Sequence, residues 1–422
     1  MQKLSEENIY LIRLKFNTLN SIEDIATLIN EVYALLFPNA KPLPKTKKPF
    51  HISLTSLNYL AYSEHFRQKR YKTFRIPKKK KGEFREISAP TYTLKAVQRC
   101  LNAVFFCLFE PYKANELPEN QQHLTGKKIF PHKAAKGFLP NRSIVDNAKL
   151  HVGKRFVYNI DLEGFFPNTS FARVRQVLKL APFNLKNERD DLGKLITALC
   201  CQDDCLPQGA PTSPTLTNMV CQRLDRKLYK LAKENHANYT RYADDITFSS
   251  DKTIFNEHLK EAIEKTINEE GYKINKVKER LQGKGIHQEV TGIVVNKKLN
   301  VTRRYIRDLY FWFSHWEKDG YASTKAYFDL KYVNQKGYLR YKGKIPPMEN
   351  VLWGKIQFMG MVRGKTDELY QKFSEKWKVC SQSKDVPIIE NLIDGQSESI
   401  NELLNLLSIW EKEGIEKVMN QK

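Results

Sequence analysis

The sequence of 422 residues contains no run of 18 apolar residues, so no transmembrane helix is expected. Its opening stretch, Met1 to Glu7, lacks the basic-then-apolar layout of a secretory signal, and the expected location is the cytoplasm. Cysteine is sparse: there are seven, an odd number, with no Cys-x-x-Cys pair, and the cluster Cys200, Cys201 and Cys205 has no histidine at a zinc-like spacing. A disulfide framework and a zinc site are therefore not expected, and the thiols read as reduced and mostly buried. Acid is also in short supply, with 47 Asp plus Glu against 70 Lys plus Arg, a net charge of +23. So basic a chain is unlike most small-molecule enzymes and carries the electrostatic footprint of a nucleic-acid binder; a cationic surface serving solubility alone is the blander alternative. No internal repeat is evident. At 41% hydrophobic residues the chain is long enough for a substantial core and for more than one domain.

Against these absences stands one stretch, Arg241-Tyr242-Ala243-Asp244-Asp245-Ile246-Thr247-Phe248. Thr240, Tyr242, Ile246, Thr247 and Phe248 are strand formers, and Ala243-Asp244-Asp245 interrupts them as a tight turn, which predicts a β-hairpin with two acids at its tip. Adjacent carboxylates repel when ionised, so either the turn is solvated or a cation lies beside it, most simply a divalent metal. A third acid, Asp161, ends the apolar run Val157-Tyr158-Asn159-Ile160. A carboxylate at the end of a buried strand calls for a partner or a metal. Asp161, Asp244 and Asp245 can converge from neighbouring strands and hold two Mg²⁺ for phosphoryl transfer, with Mn²⁺ as a possible substitute.

The blocks Asp161, Leu206-Pro207-Gln208-Gly209-Ala210-Pro211-Thr212-Ser213-Pro214 and Tyr242-Ala243-Asp244-Asp245 resemble, in order and spacing, the palm motifs of reverse transcriptases. Asn147-Ala148-Lys149-Leu150-His151 and Val290-Thr291-Gly292 are similar to two short signatures of bacterial retron reverse transcriptases, and the likeness spans roughly residues 60–375. The resemblance implies an α+β, right-hand polymerase with fingers, a palm built on an antiparallel sheet with helices, and a helical thumb. It implies catalysis by Asp161, Asp244 and Asp245, with the main chain of Leu162 completing the metal set. It also implies a structured non-coding RNA as template and primer, deoxynucleoside triphosphates as substrates, a bound RNA–DNA duplex, and a branched RNA–DNA product. An anti-phage role, usually with an effector protein, follows from the same likeness. Two rivals stay open: a non-retron defence-associated reverse transcriptase with its own RNA, and an RNA-binding scaffold with an inactive polymerase fold. No second acidic cluster reads as an RNase H or endonuclease site, so removal of RNA would fall to a separate enzyme.

Residues 1–60 read as a helical extension, with Ile22 to Leu36 at helical spacing and Phe37-Pro38 as the stop. Residues 61–155 are expected as fingers, 156–300 as palm with finger helices inserted at about 168–205, 301–379 as thumb and 380–422 as a helical tail. Phe74 to Ile87 reads as a hairpin turning near Gly82 and rich in lysine. The resemblance assigns Arg85, and Lys81 among its neighbours, to the incoming triphosphate. It places Phe166 under the sugar, implying a preference for deoxynucleotides, although Phe165 and Phe166 read equally as core. It places Gln208 near the nucleotide and Lys278, with Lys276 as the alternative, near the leaving pyrophosphate as a possible general acid; both lysines read as well as ordinary surface groups. Asn147 and His151, four apart, share a helical face. They are candidates, with Val290, Thr291 and Gly292, for RNA or primer binding, or else internal hydrogen-bonding groups. Phe171–Leu180, Leu192–Cys201 and Phe255–Ile267 read as helices, Gly271–Lys278 as a loop and strand, and Gln288–Asn296 as a strand pair. In the thumb, Arg303, Arg304, Lys355 and Arg363 are candidate phosphate contacts. The tail could dock another protein or a second copy, or cap the thumb.

Overall fold

The computed structural model describes residues 4–41, 49–77, 82–110, 131–334 and 345–382. Lys81 and nearly all of the tail expected at 380–422 lie outside the described residues. The chain divides between Asn300 and Val301 into two compact units.

The first unit has two apolar cores. One gathers the N-terminal helices α1 (Glu6–Asn17) and α2 (Ile22–Leu36), with α3 (Leu54–Tyr62), around the long helix here called α5 (Tyr92–Phe109), the short α4 (Glu64–Arg67) lying between them in sequence. The helices described within residues 1–60 thus share one core with α5. Local signals explain the boundaries: Ser21 and Asp24 form a reciprocal capping box at the start of α2. Buried guanidinium groups close helix ends whose carbonyls have no partner within the helix. Arg13 donates to the carbonyls of Cys107 (2.6 Å) and Glu110 (2.7 Å) at the end of α5. The hairpin β1 (Tyr71–Pro77)/β2 (Phe84–Pro90) is antiparallel, pairing Ile76 with Arg85, and is mostly exposed beyond Tyr71. Its base is fixed by Gln98 of α5, whose amide donates to the Tyr71 hydroxyl and the Leu199 carbonyl, both at 2.8 Å.

The second core lies under a four-stranded antiparallel sheet in the order β4 (Asn238–Tyr242), β5 (Asp245–Ser250), β3 (Phe156–Asp161), β6 (Arg280–Gly283). Helices α10 (Gln222–Glu234) and α11 (Glu257–Glu269) supply Leu224, Leu228, Leu259, Ile263 and Ile267 to it. Between β3 and β4 the chain also forms α7 (Phe171–Leu178), α8 (Asp190–Cys200) and α9 (Ser213–Val220), and α6 (Ile144–Lys149) precedes β3. The stretch Gly271–Lys278 makes only a single bridge, Leu162 to Ile274, where a strand is expected; the strand forms later, at β6. The pair expected at Gln288–Asn296 is the two-residue hairpin β7 (Glu289–Val290)/β8 (Ile293–Val294).

The second unit begins with α12 (Arg303–Asn334), broken at Gly320 (φ 74°, ψ 172°), followed by α13 (Met348–Arg363) and α14 (Glu368–Gln382). Leu309, Trp312, Phe313, Trp316, Leu352, Ile356, Met359 and Phe373 are buried in it. No helix among the described residues is long and apolar enough to cross a membrane.

Candidate active site

Strand register brings the three acids together. β3 and β5 run antiparallel with Asp161 opposite Asp245, and β4 pairs with β5 so that Tyr242 also lies opposite Asp245. The turn is therefore Ala243-Asp244, and Asp245 is the first residue of β5 rather than part of the turn. Ala243 takes φ 58°, a left-handed conformation disfavoured for a residue with a Cβ. The amide of Leu162 donates to the Asp244 carbonyl at 3.0 Å, tying the turn to the end of β3. The Leu162 carbonyl takes part in neither flanking bond, which run from Asn275 to the Asp161 carbonyl (2.8 Å) and from Glu163 to the Lys273 carbonyl (2.9 Å).

Charge crowding is evident. Burial, then the Asp161 charge, raises the pKa of Asp244; Arg85 and Lys278 oppose the rise. Burial, then the charges of Asp244 and Asp161, pushes Asp245 up to about 7, with Lys278 and Arg280 opposing. Lys278 Nζ lies 2.8 Å from Asp161 Oδ1. Burial works against the Lys278 ammonium, but the bond to Asp161 and the nearby Asp244 and Asp245 charges outweigh it and raise its pKa. Arg85, exposed on β2, is a fingers cation whose field reaches Asp244. Lys276 instead pairs with Glu264 (2.6 Å) and Glu279 (3.3 Å).

Among the described residues no three acidic, histidine or cysteine side chains close around one point as a cage. Three carboxylates at one end of a sheet, two of them with raised pKa, fit instead an open site for Mg²⁺, which is usually held by one or two carboxylates and completed by water and substrate phosphates.

The surroundings sort the remaining candidates. Phe165 is buried, whereas Phe166 is half-buried, with its ring 6.1 Å from Phe138. Phe138, itself 6.4 Å from Tyr242, extends an aromatic edge to the Ala243-Asp244 turn that the sequence reading did not single out. The Gln208 carbonyl accepts from the Ser88 amide at 2.8 Å, joining the Pro-Gln-Gly segment to β2. Asn147 and His151 are fully buried. His151 bridges two strands, bonding Ser249 through Nδ1 (2.7 Å) and Thr240 through Nε2 (2.8 Å). Burial lowers its pKa to about 3, so it stays neutral. Asn147 reaches toward the Thr291 hydroxyl (3.5 Å), so the two short signatures meet each other inside the protein. Val290 is buried too, while Thr291 is half-buried and Gly292 exposed. Thr291 (φ 47°) and Gly292 (φ 84°) both have positive φ, the pattern of a type I′ hairpin turn. In the second unit Arg303 and Arg304 are exposed, but Lys355 is paired with Asp308, and Arg363 grips Asp367 with two bonds of 2.8 and 2.9 Å. These last two are engaged in ion pairs within the protein.

The sequence reading also missed Asp225, buried beneath the turn, where it holds Arg241 through Nε (2.8 Å) and Nη2 (2.7 Å). The available signal was an acid on the apolar side of an amphipathic helix.

An antiparallel sheet with acids from adjoining strands at one end, helices beneath it and finger helices inserted after its first strand defines the palm of a right-hand polymerase. The family model described as reverse transcriptase (RNA-dependent DNA polymerase) matches residues 76–288, and the chain belongs to that family. It is similar to the Retron Mx65 reverse transcriptase of Myxococcus xanthus, 36% identical over 259 residues, covering 58% of this chain and 56% of that protein. The Retron Ec86 reverse transcriptase of Escherichia coli is 30% identical over 274 residues, covering 64% and 77%. For the Retron Mx162 reverse transcriptase of Myxococcus xanthus the values are 32% over 276 residues, 59% and 52%. The chain thus spans little more than half the length of the two Myxococcus relatives. Among solved structures, a telomerase from Candida albicans aligns over 79% of this chain and 66% of its own at 10% identity with a TM-score of 0.40, too distant to add to the argument.

Proposed function

We propose that this chain is an RNA-directed DNA polymerase of the retron type, copying a structured non-coding RNA that serves as template and primer. The observation that carries the reading is the register of Asp161 against Asp245 with Asp244 on the adjoining turn, inside a region that matches the reverse transcriptase family. Asp161, Asp244 and Asp245, with the Leu162 carbonyl, would hold two Mg²⁺, or Mn²⁺ in their place. Bound there, the ions supply Lewis-acid activation of the primer hydroxyl and neutralise charge on the triphosphate. Arg85 binds triphosphate oxygens with its planar fork. Lys278, held protonated by its acidic surroundings, turns from Asp161 to deliver a proton to the leaving pyrophosphate. Gln208 orients the nucleotide, and Phe166 stands where a 2′-hydroxyl would project.

The retron names of the relatives support the finer reading. Synthesis starts from a 2′-hydroxyl of an internal guanosine, yields a small branched RNA–DNA, and serves defence against phage in the cytoplasm, with an effector protein or a second copy as partner. Purified chain given its RNA, deoxynucleotides and Mg²⁺ is expected to extend DNA, and ribonucleotides are expected to be poor substrates. Replacing Asp161 or Asp244 with Asn should lower the rate at least about 100-fold while RNA binding persists, as expected when several kcal/mol of transition-state stabilisation are lost. Full activity in either variant would overturn the site assignment.

A further inference from the structure

We propose that Arg241 is a positioning residue for the reaction: anchored on Asp225, its guanidinium holds the main chain of the Ala243-Asp244 turn and so sets the two acids that follow. The proposal rests on the polymerase reading above, and it concerns residues to which that reading gives no role.

The guanidinium is completely buried, as is the Asp225 carboxylate. Its fork is shared between two tasks. Nε and Nη2 grip the two oxygens of Asp225 at 2.8 and 2.7 Å. Nη1 points the other way, to the Ala243 carbonyl and to Asn218 Oδ1, both at 3.1 Å. Asn218 in turn donates to the Gly137 carbonyl at 2.9 Å. Gly137 closes the opposite side of the turn so tightly that a Cβ there would lie 2.6 Å from the Ala243 amide nitrogen. The disfavoured φ of Ala243 is thus enclosed between Arg241 and Gly137, with Asn218 as the bridge. One residue further, the Asp244 carbonyl receives the Leu162 amide, so a displaced turn would also disturb the end of the Asp161 strand.

A buried ion pair is weak evidence for stability, because well-packed apolar residues often serve as well. A fork divided between an acid and a strained catalytic turn gives a specific reason for this pair. Backbone strain at a functional turn persists only where its surroundings over-determine it. Lysine could keep the charge beside Asp225 but has no second arm for Ala243 and Asn218. Displacements of about 1 Å in a reacting geometry can cost about 100-fold in rate.

The test compares wild type, Arg241→Lys and Tyr239→Phe in the full chain. Tyr239 donates only to Asp225, at 2.7 Å, so its variant weakens the buried cluster without touching the turn. Three quantities are measured: thermal stability, nucleotide addition at saturating and limiting deoxynucleotide, and Mn²⁺ affinity by paramagnetic resonance. The expected result for Arg241→Lys is a folded protein whose kcat falls at least about 10-fold, whose nucleotide KM moves less than about 3-fold and whose Mn²⁺ binding weakens. Tyr239→Phe should lose stability and keep kcat. A kcat loss that tracks stability across both variants, or an Arg241→Lys enzyme with kcat and Mn²⁺ affinity like wild type, overturns the proposal. Should Arg241→Lys not fold, Asn218→Ala, which leaves the Arg241–Asp225 pair intact, carries the same expectations and the same overturning result. A wild-type chain without nucleotide addition would refute the polymerase reading; the Mn²⁺ comparison would still decide whether Arg241 sets the acids.

Discussion

Asp245 and His151 are both displaced from ordinary titration, in opposite senses and for different reasons. The Asp245 pKa is raised to about 7 by burial and neighbouring acids, so in the metal-free protein the folded state holds its proton more tightly than the unfolded state. Its contribution to stability is therefore complete below about pH 4 and is lost as pH rises to about 7. Wild type should lose thermal stability relative to Asp245→Asn across that interval in chelator, and Mg²⁺ should reverse the loss; a constant difference would contradict the crowding. His151 is held neutral, with its pKa lowered to about 3 by burial, so its contribution is complete above about 6.5 and is lost as pH falls toward 3. His151→Ala should destabilise the chain by about 2–4 kcal/mol in denaturant unfolding, since it leaves two buried hydroxyls unpaired and opens a cavity. A stable variant that no longer bound RNA would support the RNA-contact reading instead. The three acids were legible because adjacency and the end of an apolar run are sequence features. Asp225 was harder to read, because its partner Arg241 lies 16 residues away and only its place on the apolar side of α10 signals it.

Helices were legible where one face alone is apolar, and α2 follows its periodicity closely. The strand β6 was not, since Arg280-Leu281-Gln282-Gly283 has no alternation and forms only because β3 offers a free edge. Cys221 separates α9 from α10, and α9 is buried almost all round, which hides its period. The joint between Pro207-Gln208-Gly209 and β2 came only from the structure. A Cβ at Gly209 would lie 2.7 Å from the Ser88 carbonyl oxygen and would have to adopt φ 131°. Gly209→Ala should therefore cost about 1–3 kcal/mol and release the Ser88 amide to hydrogen exchange. Wild-type protection at Ser88 would show that the contact does not hold the two elements together.

For the molecule as a whole, a net charge of +23 would dominate the approach of the proposed nucleic-acid partner. Each phosphate neutralised contributes about 0.7–0.9 to the slope of log affinity against log salt. RNA binding should weaken steeply with salt, with a slope of at least about 4 in magnitude; a slope below about 1 would mean that the charge is not used for binding. Exposed Arg303 and Arg304 are expected to contribute to that slope more than Lys355 and Arg363, whose charges are already paired. The central claim, that the paired strands make an RNA-copying polymerase, is tested most directly by sequencing the nucleic acid that copurifies with wild type and with the Asp244→Asn/Asp245→Asn variant, before and after debranching. The account predicts a short DNA joined to a structured RNA with wild type and RNA alone with the variant. RNA alone in both, or the same DNA in both, would contradict it, and a long unbranched DNA with wild type alone would keep the polymerase but refute the retron product.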